Sequence, residues 1–184
     1  MAYMWFNMVV FELSVLVICL TFLLVLRKLD KDILRKFFIT CIAVFLFEAI
    51  TNAMWLNLNL EKWAYFYGDL SWVITIGWST IIIVSISIID LYFAKKSELG
   101  RFIFYLVPVS IIGLIAESVV LNLGIRSYPS SVKDSLSGHT ILGIVPIEAL
   151  YYIPVFMTLV IAFSRYWEIS FRENTAINLR GSKR

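Results

Sequence analysis

Long apolar stretches separated by short polar segments dominate this chain. Five of them approach or exceed the roughly 20 residues that an α-helix needs to cross a bilayer. They lie at about 7–26, 37–57, 70–94, 102–123 and 142–166. The short segments between them leave no room for a soluble module, so residues 1–184 are predicted to form a single integral membrane domain. The pattern predicts an all-α, polytopic membrane helical bundle with five transmembrane helices.

Basic residues mark one side of this predicted bundle. They follow spans 1, 3 and 5: Arg27, Lys28, Lys31, Arg35, Lys36, Lys95, Lys96, Arg101, Arg165, Arg172, Arg180, Lys183 and Arg184. The other side has Lys62, Arg126 and Lys133. The positive-inside rule therefore predicts an outside N-terminus, a cytoplasmic C-terminus and an integral cell membrane protein.

Composition narrows the function classes further. Hydrophobic residues make up 60% of the chain, and the formal net charge of +3 comes from residues that flank the spans, which argues against a nucleic-acid partner. One histidine and two cysteines without a C-x-x-C spacing argue against metal, haem and redox chemistry. We therefore predict no cofactor and no metal.

Three glutamates, Glu48, Glu117 and Glu148, lie inside the predicted spans. A carboxylate in hydrocarbon costs several kcal/mol, so such residues are protonated, paired or turned toward a polar cavity, and they are candidates for function. Glu148 also fits a simpler interpretation as a first-turn acid after Pro146. Two further acids nearer span ends are expected to be wetted by solvent (Glu12) or paired with Lys95 and Lys96 (Asp90).

The chain repeats weakly at an offset of about 70 residues, which predicts a parallel repeat of two-helix hairpins formed by spans 2–3 and 4–5. The corresponding pairs are Glu48 with Glu117, Asn52 with Asn122, Gly68 with Gly138, Trp78 with Glu148, Lys95 with Arg165, and Glu98 with Glu168. Helical spacing places further polar and aromatic residues beside the acids. We expect them to line a substrate cavity: Asn52, Asn122, Trp55, Trp72, Trp78 and Tyr152.

The segment Pro146–Ile147–Glu148 resembles the Pro-x-Glu signature of the membrane lycopene cyclases of carotenoid biosynthesis, in which an acidic helix and an aromatic Trp-x-Tyr loop precede the motif. Glu48, Trp63, Tyr65 and Gly77–Trp78 are similar to one copy of that hairpin. Glu117, Tyr128 and the Pro146–Glu148 segment are similar to a second copy. The family's second acid is Ala149 here, and the first copy has Gly77–Trp78 in place of proline and glutamate.

The resemblance implies an intramembrane acid/base enzyme, cyclase- or isomerase-like, that acts on an apolar isoprenoid or lipid. A buried carboxylic acid would protonate a C=C bond, and aromatic faces would stabilise the carbocation. In this reading Glu148 is the general acid, and Glu117 or Glu48 supplies the counter-charge or base.

Two other classes stay open from the sequence. Intramembrane carboxylates and internal repeats also occur in proton-coupled transporters of small molecules or ions. A non-catalytic membrane subunit would instead use its polar stripes as helix contacts to a partner. The oligomeric state is open as well, a homo-oligomer included.

Overall fold

A computed structural model of the protein describes the backbone of residues 2–181 and the side chains of residues 8–171. This part of the chain forms six α-helices: α1 (Ala2–Arg27), α2 (Ile33–Ile50), α3 (Trp72–Tyr92), α4 (Glu98–Asn122), α5 (Ser130–Lys133) and α6 (Ala149–Gly181). Short strands occupy the α2–α3 and α4–α6 connections: β1 (Leu56–Asn57), β2 (Tyr65–Tyr67), β3 (Leu70–Ser71), β4 (Arg126–Ser127), β5 (Thr140–Ile141) and β6 (Val145–Pro146).

Four of these helices are long and apolar enough to cross a membrane: Met8–Arg27 of α1, all of α3 and α4, and Ala149–Phe171 of α6. The remaining long helix, α2, has 18 residues and carries three charged side chains, Arg35, Lys36 and Glu48, and it is not among these four. The structure is thus mostly helical, as predicted.

Helices α2, α3, α4 and α6 form a four-helix bundle in which each helix packs against two others, and α1 packs on the outside of α3. The main core of the bundle takes residues from all four helices, among them Val44, Ile82, Val109 and Ile153. All six strands lie at one end of the bundle, which we call the strand end. The α1–α2 and α3–α4 connections lie at the opposite end, the basic end.

Two of the predicted spans differ from the helices at the strand end. Span 2 was predicted to reach residue 57, but α2 ends at Ile50 and the chain turns into β1. Span 5 was predicted to start at 142, but α6 starts at Ala149, after a β5–β6 hairpin whose turn holds Gly143 at φ 80°. These apolar segments pair as strands within the loops, and they do not extend the helices.

Strands β1 and β4 join the two helical hairpins at the strand end. They pair antiparallel, with Leu56 opposite Ser127 and Asn57 opposite Arg126. At an offset of 70 residues in the sequence, Leu56 corresponds to Arg126 and Asn57 to Ser127. The two strands that pair are therefore equivalent segments of the repeat, and each residue lies opposite the equivalent of its neighbour. Two similar hairpins related by a two-fold axis would pair in this way.

The offset does not continue through the rest of the hairpins. Trp78 lies inside α3, whereas Glu148 precedes α6. At the basic end, Glu98 at the start of α4 pairs with Arg165 of α6: the Glu98 carboxylate lies 2.6 Å from Arg165 Nε. Asp90 is ion-paired as expected, but with Arg101 (2.6 Å) and Arg165 (3.4 Å) instead of the expected lysines.

Candidate functional site

A buried arginine organises the strand end of the bundle. The pairing of β4 with β1 turns Arg126 inward, where 5% of the residue is exposed. Its Nε and Nη2 atoms donate to Asn57 Oδ1, each at 3.2 Å. The guanidinium carbon lies 5.2 Å from the centre of the Trp55 ring, within cation–π distance. Burial lowers the pKa of Arg126, but the nearby Glu117 and Glu48 outweigh that effect and raise it.

Glu117, from α4, is the closest acid to Arg126. Its Oε2 accepts a hydrogen bond from Arg126 Nη1 at 3.0 Å, and its Oε1 accepts one from the Tyr128 hydroxyl at 2.7 Å. The Tyr152 hydroxyl lies 2.7 Å from that of Tyr128. Because Tyr128 has one hydroxyl hydrogen and directs it to Glu117, Tyr152 is the donor to Tyr128. Burial, followed by the charge of Glu117, raises the pKa of Tyr128, so its hydroxyl stays protonated.

Glu48, from α2, approaches the same arginine from the other side. Its Oε1 lies 3.9 Å from Arg126 Nη2 and has no hydrogen-bond partner among the described residues. Its Oε2 lies 2.6 Å from the hydroxyl of Thr75 on α3. The residue is 3% exposed. We call this assembly the arginine cluster: Arg126, Glu48, Glu117, Asn57, Thr75, Tyr128, Tyr152 and Trp55.

Two cavities adjoin the arginine cluster. The smaller, which we call the chamber, has a volume of about 30 Å³ and is bounded by Glu48, Glu117, Arg126, Trp55, Trp78, Tyr152 and apolar residues of α2 and α6. That is room for a water molecule but not for a hydrocarbon chain. The larger, which we call the groove, has a volume of about 330 Å³ and lies between α1, α3 and α4. Its lining is apolar apart from Thr80 and Arg126.

Five of the nine predicted site residues come together in this region. Glu48, Glu117, Trp55 and Tyr152 belong to the arginine cluster, and Trp78 forms part of the wall of the chamber. Glu48 and Glu117 therefore lie on the two sides of one arginine. Arg126, the partner of both acids, is one of the three basic residues that the sequence predicts for loops on the outer side of the membrane.

Glu148 lies outside the arginine cluster. Its Oε1 accepts a hydrogen bond from the backbone N–H of Ser137 at 2.6 Å, which ties the α5–β5 loop to the start of α6. That hydrogen bond lowers the pKa of Glu148, so the group is an ionised carboxylate at neutral pH. Such a carboxylate anchors a loop and is a poor proton donor.

The other three predicted residues also lie elsewhere. The Asn122 amide donates to Ser118 O at 2.8 Å on the exposed end of α4. Trp72 packs against Trp63, with ring centres 5.2 Å apart. Asn52 lies in the turn after α2 and does not border the chamber.

Glu12 differs from its expected position at a wetted interface. It is fully buried on α1, and its Oε1 accepts a hydrogen bond from the Glu61 backbone N–H at 2.6 Å. It therefore fastens α1 to the α2–α3 loop. Within residues 8–171, no group of three or more His, Cys, Asp or Glu side chains is arranged to hold a metal ion.

Sequence reasoning missed four members of the arginine cluster: Arg126, Asn57, Thr75 and Tyr128. One signal was present. Arg126 is the only arginine among the three basic residues of the predicted outer side, and it follows Glu117 by nine residues. An arginine can neutralise a buried acid through a charge-assisted hydrogen bond.

Comparison with known proteins does not place the chain in a family: no family model, no curated protein and no solved structure matches it. The class is therefore defined by the fold and the cluster alone. The protein is a helical bundle with four helices long and apolar enough to cross a membrane.

Proposed function

We propose that the protein crosses the membrane five times, with α2 as the fifth membrane helix, the strand end outside and the basic end in the cytoplasm. Support comes from the packing of α2 in the same bundle as α3, α4 and α6. The charges of α2 lie near its two ends. The basic residues between α1 and α2 and between α3 and α4 agree with a cytoplasmic basic end.

This topology is testable by cysteine labelling. In a chain with Cys19→Ala and Cys41→Ala, a single Ser131→Cys at the strand end should react with a membrane-impermeant maleimide on intact cells. A single Lys31→Cys at the basic end should react only after the cells are permeabilised. Both positions are exposed, so reversed labelling would contradict the orientation, and labelling of both in intact cells would contradict five crossings.

We further propose that the protein is an intramembrane acid/base enzyme that acts on an apolar isoprenoid or lipid, as a cyclase or isomerase without a redox cofactor. The observation that carries this proposal is the contact between two unlike cavities. An apolar groove between membrane helices meets a buried pair of carboxylates, and the two spaces share Trp78 and Arg126 as walls.

The hydrogen bonds around Glu48 allow both its protonated and its ionised form, as a group that gives up and takes back a proton requires. The Thr75 hydroxyl lies 3.0 Å from Ser71 O, the i−4 bond typical of threonine in membrane helices, and 2.6 Å from Glu48 Oε2. A hydroxyl has one hydrogen, and an ionised carboxylate can only accept. The Thr75 hydroxyl can donate to an ionised Glu48 at 2.6 Å, or donate to Ser71 O and accept from a protonated Glu48, so the same contacts serve both states of the acid.

Charge balance favours the protonated form of Glu48. The cluster contains one guanidinium and two carboxyl groups, and Arg126 forms its close hydrogen-bonded pair with Glu117. Isolated charges are costly in a low-dielectric interior, so the neutral arrangement, with one proton on the more distant acid, is favoured. Glu48 is that acid. In this proposal it takes the role of general acid that sequence resemblance implied for Glu148.

The proposed reaction needs no external reagent. The Glu48 O–H bond breaks and its proton forms a C–H bond with one carbon of a substrate C=C, which leaves a carbocation on the other carbon. The faces of Trp78 and Tyr152 border the space where that charge develops. The Glu48 carboxylate then removes a proton from a neighbouring carbon, a new C=C forms, and the acid is restored. The outcome is a shifted double bond, or a ring if a second C=C attacks the cation first.

The first test is the pigment and lipid profile of a host that accumulates acyclic carotenoids. Expression of the protein should convert part of that pool to isomers of equal mass, because the reaction only moves protons. A host that carries the Glu48→Gln variant at equal abundance is the matched control. An unchanged profile with the unmodified protein would contradict the proposed chemistry on isoprenoids.

A further inference from the structure

The side chain of Trp78 forms part of the wall between the groove and the chamber. Among residues 8–171, two border both cavities, Trp78 and Arg126. Arg126 is fixed by hydrogen bonds to Asn57 and Glu117 and by its contact with the Trp55 ring. Trp78 is partly buried and is placed by packing.

The space for the Trp78 ring comes from Gly113 on the neighbouring helix α4. A Cβ atom at Gly113 would lie 3.0 Å from Trp78 Cζ3 and 3.2 Å from Cη2, so the ring would have to shift by a few tenths of an ångström. The same atom would lie 3.3 Å from a methyl group of Ile153 on α6. The absence of a side chain at Gly113 therefore lets the indole stand between α3, α4 and α6, with the groove on one side and the chamber on the other.

We propose that Trp78 is the gate between the groove and the chamber, and that it selects which apolar chains reach Glu48. This rests on the proposed function, because the chamber is too small to hold a chain unless a wall moves. When the indole leaves its place beside Gly113, the two cavities join. A hydrocarbon segment can then occupy the space of the ring. The segment that passes is limited to about the thickness of that ring, so Trp78 is a specificity-determining residue.

The gate can be tested without substrate turnover. The probe is 3-trifluoromethyl-3-phenyldiazirine, a small apolar compound that partitions into bilayers and inserts into C–H bonds on irradiation. In the reconstituted protein the label should appear on groove residues such as Ala116 and Val119 and weakly on chamber residues such as Met157 and Val160. Trp78→Ala should raise chamber labelling by about tenfold, since a gate's open conformer is typically populated at 10% or less. Groove labelling should stay constant.

The matched control is Ile76→Ala, a large-to-small change on the same helix at a residue that borders neither cavity; it should leave both labelling levels as they are. Trp78→Phe keeps an aromatic ring at the position and guards against a folding defect; chamber labelling in this variant should fall between that of Trp78→Ala and the unmodified protein. The gate is refuted if Trp78→Ala labels the chamber no more than the unmodified protein does. It is equally refuted if the unmodified chamber is labelled as strongly as the groove. Neither result depends on catalysis, so loss of the gate and loss of the proposed chemistry are separable.

Discussion

Replacing Arg126 by methionine is expected to lower the free energy of unfolding by about 3–5 kcal/mol, the typical cost of removing one partner from a buried ion pair. The guanidinium is nearly fully buried and is the cation hydrogen-bonded to Glu117. Without it, Glu117 keeps the Tyr128 hydrogen bond but loses its counter-charge. Equilibrium unfolding in mixed detergent–lipid micelles measures the change.

The double variant Arg126→Met with Glu117→Gln separates charge from packing. It removes both charges of the pair, and replacement of a whole buried ion pair is often neutral for stability. We therefore expect it to recover most of the stability lost in the single variant. Lys133→Met, in the same connection but exposed, should change stability by less than about 0.5 kcal/mol. A double variant as unstable as the single one would show that Arg126 acts through its packing and not through its charge.

The second large effect is expected for Glu48→Gln, which should reduce product formation by about 10²–10⁴-fold, the usual contribution of a general acid. Glutamine has almost the same volume as glutamate, and its amide can still donate to the Thr75 hydroxyl, so the bundle should keep its fold. What it lacks is a transferable acidic proton. Isomer content in the carotenoid-accumulating host, normalised to protein abundance, measures the loss.

Glu148→Gln provides the comparison that distinguishes the two candidate acids. It removes the charge that accepts the Ser137 N–H bond, at a position outside the arginine cluster, and product formation should therefore be retained. The opposite pattern, with activity lost in Glu148→Gln and kept in Glu48→Gln, would show that the general acid is Glu148, in the loop before α6. It would favour the role that the Pro-x-Glu resemblance implies.

The bounds of a helix were predictable where a long apolar stretch of the sequence ends at charged residues. Helices α3 and α4 lie within a few residues of their predicted spans because Lys95, Lys96 and Glu98 mark the boundary between them. The strand-end boundaries of α2 and α6 were not predictable in the same way. Short apolar runs are compatible with a helix or a strand, and periodicity alone does not separate the two. Strand pairing decides the outcome there, over a long range in the β1–β4 ladder and within a local hairpin in the β5–β6 ladder.

The sequence predicted the two acids of the arginine cluster, Glu48 and Glu117, as site residues, but it did not predict their cation, Arg126. Glu48 and Glu117 stand out because hydrocarbon penalises their charge, a property of each residue that the sequence displays. Arg126 lies beyond the end of α4, and only the antiparallel pairing of Asn57 with Arg126 turns it back into the bundle. A contact between residues 69 positions apart leaves no local pattern in a single sequence.

That same pairing sets an order of events during synthesis. Asn57 leaves the ribosome 69 residues before Arg126, an interval of roughly 3–14 s at about 5–20 residues per second. Throughout that interval α2 has been made and Glu48 has no cation to meet. In the five-crossing proposal, α2 then enters the bilayer without the Arg126 counter-charge, and hydrocarbon favours the neutral form of Glu48 over its carboxylate.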